Sequence, residues 1–218
     1  MIEKAILIGG GDYRKNENTE VDDYITKELD KNAKILIIPF AVKEKERRAS
    51  RINSIRKMFN ERGFSNVEKI DDNEEDKESM KNKIKDSFLI FITGGDPKLL
   101  LSTLDNNDLL DSLASFNGVI VGYSAGAMIF RKPTIVIGGI EDDYESTISI
   151  DLGLGAYNFV VSPHYSEDQD EIILKESQKY NILAIADKSA VILKEGIKKI
   201  IGEAFLFEKG NKKKVTFS

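Results

Sequence analysis

The chain has 218 residues, 41% of them apolar and 32% charged, with a net charge of −5 at neutral pH. That length suits one domain over residues 1–218 with a full hydrophobic core, and the composition excludes a disordered tail. No apolar run nears the ~20 residues a bilayer requires, so no membrane partner is expected. Cysteine is absent and histidine occurs once, which removes a disulfide framework, a thiol nucleophile and a histidine metal cluster. Neither a metal nor a cofactor is expected.

Residues 5–8 form a short apolar run that ends in Gly9, Gly10 and Gly11. It reads as a buried first strand, too short for a signal peptide, which points to a cytoplasmic protein. The three glycines lack both the Gly-x-Gly-x-x-Gly spacing and the Lys-Ser/Thr of a phosphate loop, so a tight loop beside a pocket is expected. Residues 19–32 predict a helix with Val21, Tyr24, Ile25 and Leu29 on one face and Thr19 as N-cap. Residues 33–40 read as a second buried strand. Residues 44–63 read as a charged helix with an apolar stripe of Ile52, Ile55, Met58 and Phe59, stopped at Gly63.

A short third strand is expected at 67–70, and the acidic stretch 71–78 as a solvated loop or first helical turn. Residues 88–95 are the clearest strand, ending at Gly94 and Gly95, after which Asp96 and Pro97 open a helix. Residues 109–114 are helical, and 119–121 form a strand before the most informative stretch, Gly122-Tyr123-Ser124-Ala125-Gly126. Beyond residue 131 come short runs at 147–150, 159–162, 190–193 and 204–208, with a helix across 167–180. The triplet 212–214 reads as a solvated turn or strand edge, and with scattered basic residues elsewhere no nucleic-acid partner is expected. The pattern predicts an α/β fold. Its sheet is largely parallel and doubly wound, with helices on both faces and antiparallel strands added in the C-terminal part.

Gly-x-Ser-x-Gly between a strand and a helix predicts a sharp turn that lifts the serine over the end of the sheet. Ser124 is therefore the candidate nucleophile, and the Ala125 N–H a candidate oxyanion donor. A serine needs a base, and the one histidine is His164, after an apolar run and Pro163. The third member should be a carboxylate. Asp187, between two apolar runs, is one candidate; Glu141, Asp142 and Asp143, clustered after the nucleophile helix, are the alternatives. An α/β-hydrolase places its acid before a histidine near the end of a longer chain, an order that fits poorly here.

Gly122-Tyr-Ser-Ala-Gly-Ala127, preceded by Phe91-Ile-Thr-Gly-Gly-Asp96 and followed by Pro163-His164-Tyr165, resembles the serine peptidases of the dipeptidase E and cyanophycinase group. The similarity spans residues 1–210 and implies the class I glutamine amidotransferase fold, with serine in place of cysteine. It implies a Ser124 nucleophile, a His164 base and an oxyanion hole from Gly95, Ala125 and Gly94. It also suggests substrate contacts at Asp96 and Tyr165. The family's usual glutamate is replaced here by Asp187, one methylene shorter, so either the backbone moves closer or Glu141 or Asp142 substitutes. Pro97 is a second departure. Dipeptidase E selects an amino-terminal aspartate and cyanophycinase cleaves next to β-aspartyl-arginine; no arginine in this sequence matches a known acidic-side-chain binder.

Three readings follow: a serine hydrolase of short peptides, such as aspartyl dipeptides; a non-catalytic binding or regulatory member of the same fold; and an esterase or glutaminase-like amidohydrolase. The expected partner is a small peptide, and an exposed edge among the late strands makes a homodimer a further expectation.

Overall fold

The computed structural model describes residues 2–27, 29–138 and 147–216. Its first strands are β1 (Lys4–Ile8), β2 (Ile35–Ile38), β3 (Val67–Lys69), β4 (Leu89–Ile92) and β5 (Val119–Tyr123). There follow β6 (Thr134–Ile137), β7 (Thr147–Ile150), β8 (Val160–Tyr165) and β9 (Ile182–Ala186). The last are β10 (Ala190–Leu193), β11 (Ile197–Ile201), β12 (Ala204–Glu208) and β13 (Asn211–Lys214). The helices are α1 (Thr19–Lys27), α2 (Lys45–Glu61), α3 (Lys77–Asp86), α4 (Pro97–Asn106), α5 (Leu110–Ala114), α6 (Ala125–Met128) and α7 (Asp170–Glu176).

The main sheet has the order β11-β10-β1-β5-β4-β2-β3. Its five strands from β1 to β3 are parallel, and β10 and β11 add antiparallel beyond β1. The parallel strands are apolar at nearly every position because both faces are covered. Alternation sorts them: Ile6, Ile8, Ile35, Ile37 and Phe91 face α1 and α2, whereas Ala5, Leu7, Leu36, Ile38 and Ile92 face the other helices. A second sheet, ordered β13-β12-β9-β8, joins that latter core through Val161, Leu183 and Ile185. β6 and β7 form a separate hairpin.

Three expectations are corrected. The late strands are not all antiparallel: β8 and β9 pair in parallel, with Val160 opposite Ile182, because α7 lies between them as a crossover. Thr19 is the first helical residue rather than the N-cap. Asn18 holds the cap position and its carbonyl accepts the Asp22 N–H at 2.9 Å, while the Thr19 hydroxyl donates to the Asn16 carbonyl. The helix expected over 167–180 is a 3-10 turn, Glu167–Gln169, followed by the short α7.

Candidate active site

The elbow is built from the end of β5. Ser124 has φ 52° and ψ −113°, a strained state for a residue with a side chain. Its flanking glycines are required by close packing. A Cβ on Gly122 would stand 2.5 Å from the Gly126 carbonyl oxygen, and one on Gly126 would stand 2.4 Å from that of Ile92. The Ser124 N–H donates to the Ile8 carbonyl at 2.9 Å, tying the turn to the end of β1.

His164 and Asp187 arrive from the second sheet. His164 sits at φ 54° near the end of β8, where the β8–β9 register shifts, and its N–H donates to the Gly9 carbonyl at 3.0 Å. Asp187 follows β9; the next N–H, from Lys188, donates to the Gly10 carbonyl at 3.0 Å. The two side chains meet the serine in one line. His164 Nε2 lies 2.8 Å from Ser124 Oγ, and Nδ1 lies 2.7 Å from Asp187 Oδ1. With its proton on Nδ1, facing the carboxylate, the imidazole offers Nε2 as acceptor to the serine hydroxyl. Both side chains are about half exposed, at 49% and 55%, so substrate can reach the line from solvent. Glu141, Asp142 and Asp143, the alternative acids, lie outside the described residues.

Gly94 and Gly95 end the strand next to the elbow. A Cβ on Gly94 would stand 3.0 Å from that of Ser124. Gly95 has φ 139°, and a Cβ there would strike the Ala41 carbonyl at 2.1 Å. Neither the Gly95 N–H nor the Ala125 N–H has an acceptor among the described residues, which leaves both as unused donors in the segments that flank the serine. The Gly94 carbonyl is taken by the Arg51 guanidinium.

Asp96 is exposed, and its Oδ1 caps α4 by accepting the N–H groups of Lys98 and Leu99 at 2.7 and 3.2 Å. Tyr165 is a correction: its side chain is 5% exposed, packs on Phe205 and Phe207, and donates to Asp170 Oδ1 at 2.7 Å. The register shift at His164 returns it to the face of Val160, Ile182 and Phe207, so its phenol is spent inside the second sheet. Two basic residues near the motifs make contacts of their own, although Arg131 Nε has no hydrogen-bond partner among the described residues. Arg131 lies over the Tyr180 ring and Lys188 lies 3.5 Å from Glu17.

Sequence reasoning missed the cavity beside the elbow. It measures about 330 Å³ and is lined by Tyr13, Arg47, Ser50, Arg51, Thr93 and Tyr123, among others. Thr93 is 1% exposed and its hydroxyl has no partner among the described residues. The available signal was the spacing of Arg47 and Arg51, four apart and so on one face of α2. Burial pushes the Tyr123 phenol above its ordinary range, and the Asp187 charge adds to the effect.

The model of peptidase family S51 matches residues 5–201. The chain belongs to peptidase family S51. No curated protein matches the sequence. Among solved structures, a peptidase from an acI-B1 Actinobacterium is 22% identical with a TM-score of 0.69, covering 99% of this chain and 95% of that one. A putative peptidase E protein from Listeria monocytogenes EGD-e is 20% identical with a TM-score of 0.66, covering 98% of this chain and 99% of that one. At such identities the likeness is one of fold, and it extends over the whole S51 domain. No helix among the described residues is long and apolar enough to cross a membrane.

Proposed function

We propose that this S51 member is a serine hydrolase that cleaves short peptides through an acyl-enzyme. The observation that carries the reading is the continuous hydrogen-bonded line from Ser124 Oγ through His164 to Asp187, at 2.8 and 2.7 Å. Ser124 attacks the scissile carbonyl as His164 Nε2 takes its proton, and Asp187 steadies the imidazolium. The N–H groups of Gly95 and Ala125, with Gly94 beside them, hold the oxyanion. His164 then returns the proton to the leaving amine, and water, activated by the same imidazole, releases the acid.

The cavity supports a preference for an acidic substrate residue. Arg47 and Arg51 line it and guanidinium groups pair best with carboxylates, so aspartyl dipeptides are the first substrates to try. A panel of aspartyl dipeptides, isoaspartyl dipeptides, p-nitrophenyl esters and glutamine tests the reading. We expect turnover of aspartyl dipeptides, reduced roughly 10³–10⁶-fold by Ser124→Ala or by His164→Ala, with the double variant hardly worse than either alone. Full activity of Ser124→Ala on every substrate would refute the mechanism. Turnover confined to esters or glutamine would move the assignment to the third reading.

A further inference from the structure

The loop after β1 touches two of the three groups in the line. The Gly9 carbonyl accepts the His164 N–H, and the Gly9 N–H donates to the Ser189 carbonyl, both at 3.0 Å. The Gly10 carbonyl accepts the Lys188 N–H at 3.0 Å. Gly10 also passes so close beneath the pair that a Cβ there would lie 2.1 Å from Asp187 Oδ1 and 2.3 Å from His164 Nδ1. The imidazole and the carboxylate, held together by β8 and β9, thus rest against this loop as one body. Ser124 belongs to another body, the turn between β5 and α6.

Two contacts tie those bodies together at the loop. One is the backbone bond from the Ser124 N–H to the Ile8 carbonyl, at the near end. The other is made by a side chain: the Tyr123 hydroxyl donates to the Gly11 carbonyl, at the far end. Between them they bracket Gly9 and Gly10, the residues against which His164 and Asp187 rest. A run of glycines has little stiffness of its own, so its far end depends on what holds it: the Tyr123 hydroxyl at Gly11 and, one residue on, the bond from the Asp12 N–H to Glu17 Oε2 at 2.9 Å. The Tyr123 ring is already fixed, against Tyr13 at 4.9 Å between centroids and against the backbone of Gly94. It is therefore a rigid strut between the elbow and the loop.

We infer that Tyr123 is a positioning residue, whose hydroxyl sets the distance between Ser124 and His164 by pinning the far end of the glycine loop. It acts through Gly11 and does not touch the reacting atoms. The inference rests on the reading of Ser124 as nucleophile. Because the pair moves as a unit, loss of the pin opens the serine–imidazole contact and leaves the imidazole–carboxylate contact intact.

Tyr123→Phe keeps the ring and removes only the pin. Misplacement by about an ångström costs up to about 100-fold, so we expect kcat on the best substrate to fall about 10–100-fold with KM changed less than about threefold. The melting temperature should drop by no more than about 2–4 °C, the effect of one hydrogen bond. The chain has one histidine, so its ring nitrogens give a single set of signals by NMR. In Tyr123→Phe those signals should keep the proton on Nδ1. In the wild type, Ser124→Ala should shift them; in the Tyr123→Phe background that shift should be largely lost. A kcat within about twofold of wild type, or a proton no longer held on Nδ1 together with a collapse in melting temperature, would overturn the inference. If the wild type turned over no substrate, the hydrolase reading would fall, and the NMR comparison would still decide this one: equal shifts in both backgrounds would overturn it.

Discussion

Gly10 has no functional group, yet it sets how closely His164 and Asp187 can approach the β1 loop. Its backbone lies outside the left-handed region, so alanine there brings crowding without torsional strain. The added carbon would meet Asp187 Oδ1 at 2.1 Å and force the pair upward. We expect Gly10→Ala to cost about 1–3 kcal/mol of stability, as overpacking usually does. Turnover should fall by about 100-fold or more, as steady-state kinetics and thermal melts can separate. The same geometry shows how an aspartate reaches the imidazole where the resembled family usually has a longer glutamate: with no Cβ beneath it on Gly10, Asp187 Oδ1 lies 2.7 Å from Nδ1. Ser124 and His164 were legible because one sits in a motif with a backbone requirement and the other has no rival. Arg47 and Arg51 were not, since only folding brings α2 beside an elbow some seventy residues further on. Tyr165 was misread because the irregularity at His164, which the sequence does not announce, turns Tyr165 back into the cluster around Val160.

At the scale of elements, α1 carries a buried carboxyl with consequences for pH. Asp22 is 3% exposed and its Oδ1 has no partner among the described residues. Burial raises its pKa from 3.8 to about 7, with Arg62 opposing and Asp23 adding. Between those values the folded chain keeps a proton that the unfolded chain has lost. Stability therefore falls as pH rises from about 4 to about 7 and is level with respect to this group above that. The whole effect is up to about 4 kcal/mol. Asp22→Asn should match the wild type near pH 4 and exceed it by a few kcal/mol at pH 8, measured by urea unfolding across that range. Elements were legible where an apolar run or a cap announced them, as in β4, with Asp96 and Pro97 opening α4. The pairing of β8 with β9 was not. Strand direction depends on the connecting crossover, and short runs separated by charged residues resemble hairpins.

For the whole molecule, the two sheets divide the labour: the main sheet supplies Ser124 and the second sheet supplies His164 and Asp187. The doubly wound core was legible from the alternation of strands and helices; the second sheet was not, because its pairings are long-range. Its own core is tested by Phe207, fully buried against Tyr165 with ring centroids 5.8 Å apart. Phe207→Ala should destabilise the protein by about 3–5 kcal/mol. The remaining folded fraction should keep kcat within about twofold at low temperature, because Phe207 lies on the face away from His164; denaturant melts and cold assays read the two effects apart.

The pairing of β1 with β10 has a further consequence, for the order in which the protein is made. β1 leaves the ribosome ahead of the other strands of its sheet, and its outer edge is closed only by residues 190–193. Until that late segment emerges, a nascent chain exposes an unsatisfied apolar edge of the kind that invites aggregation or a chaperone. His164 and Asp187 are absent from it for most of that time, so a truncated translation product holds the Ser124 turn without the imidazole and carboxylate that meet it in the finished fold.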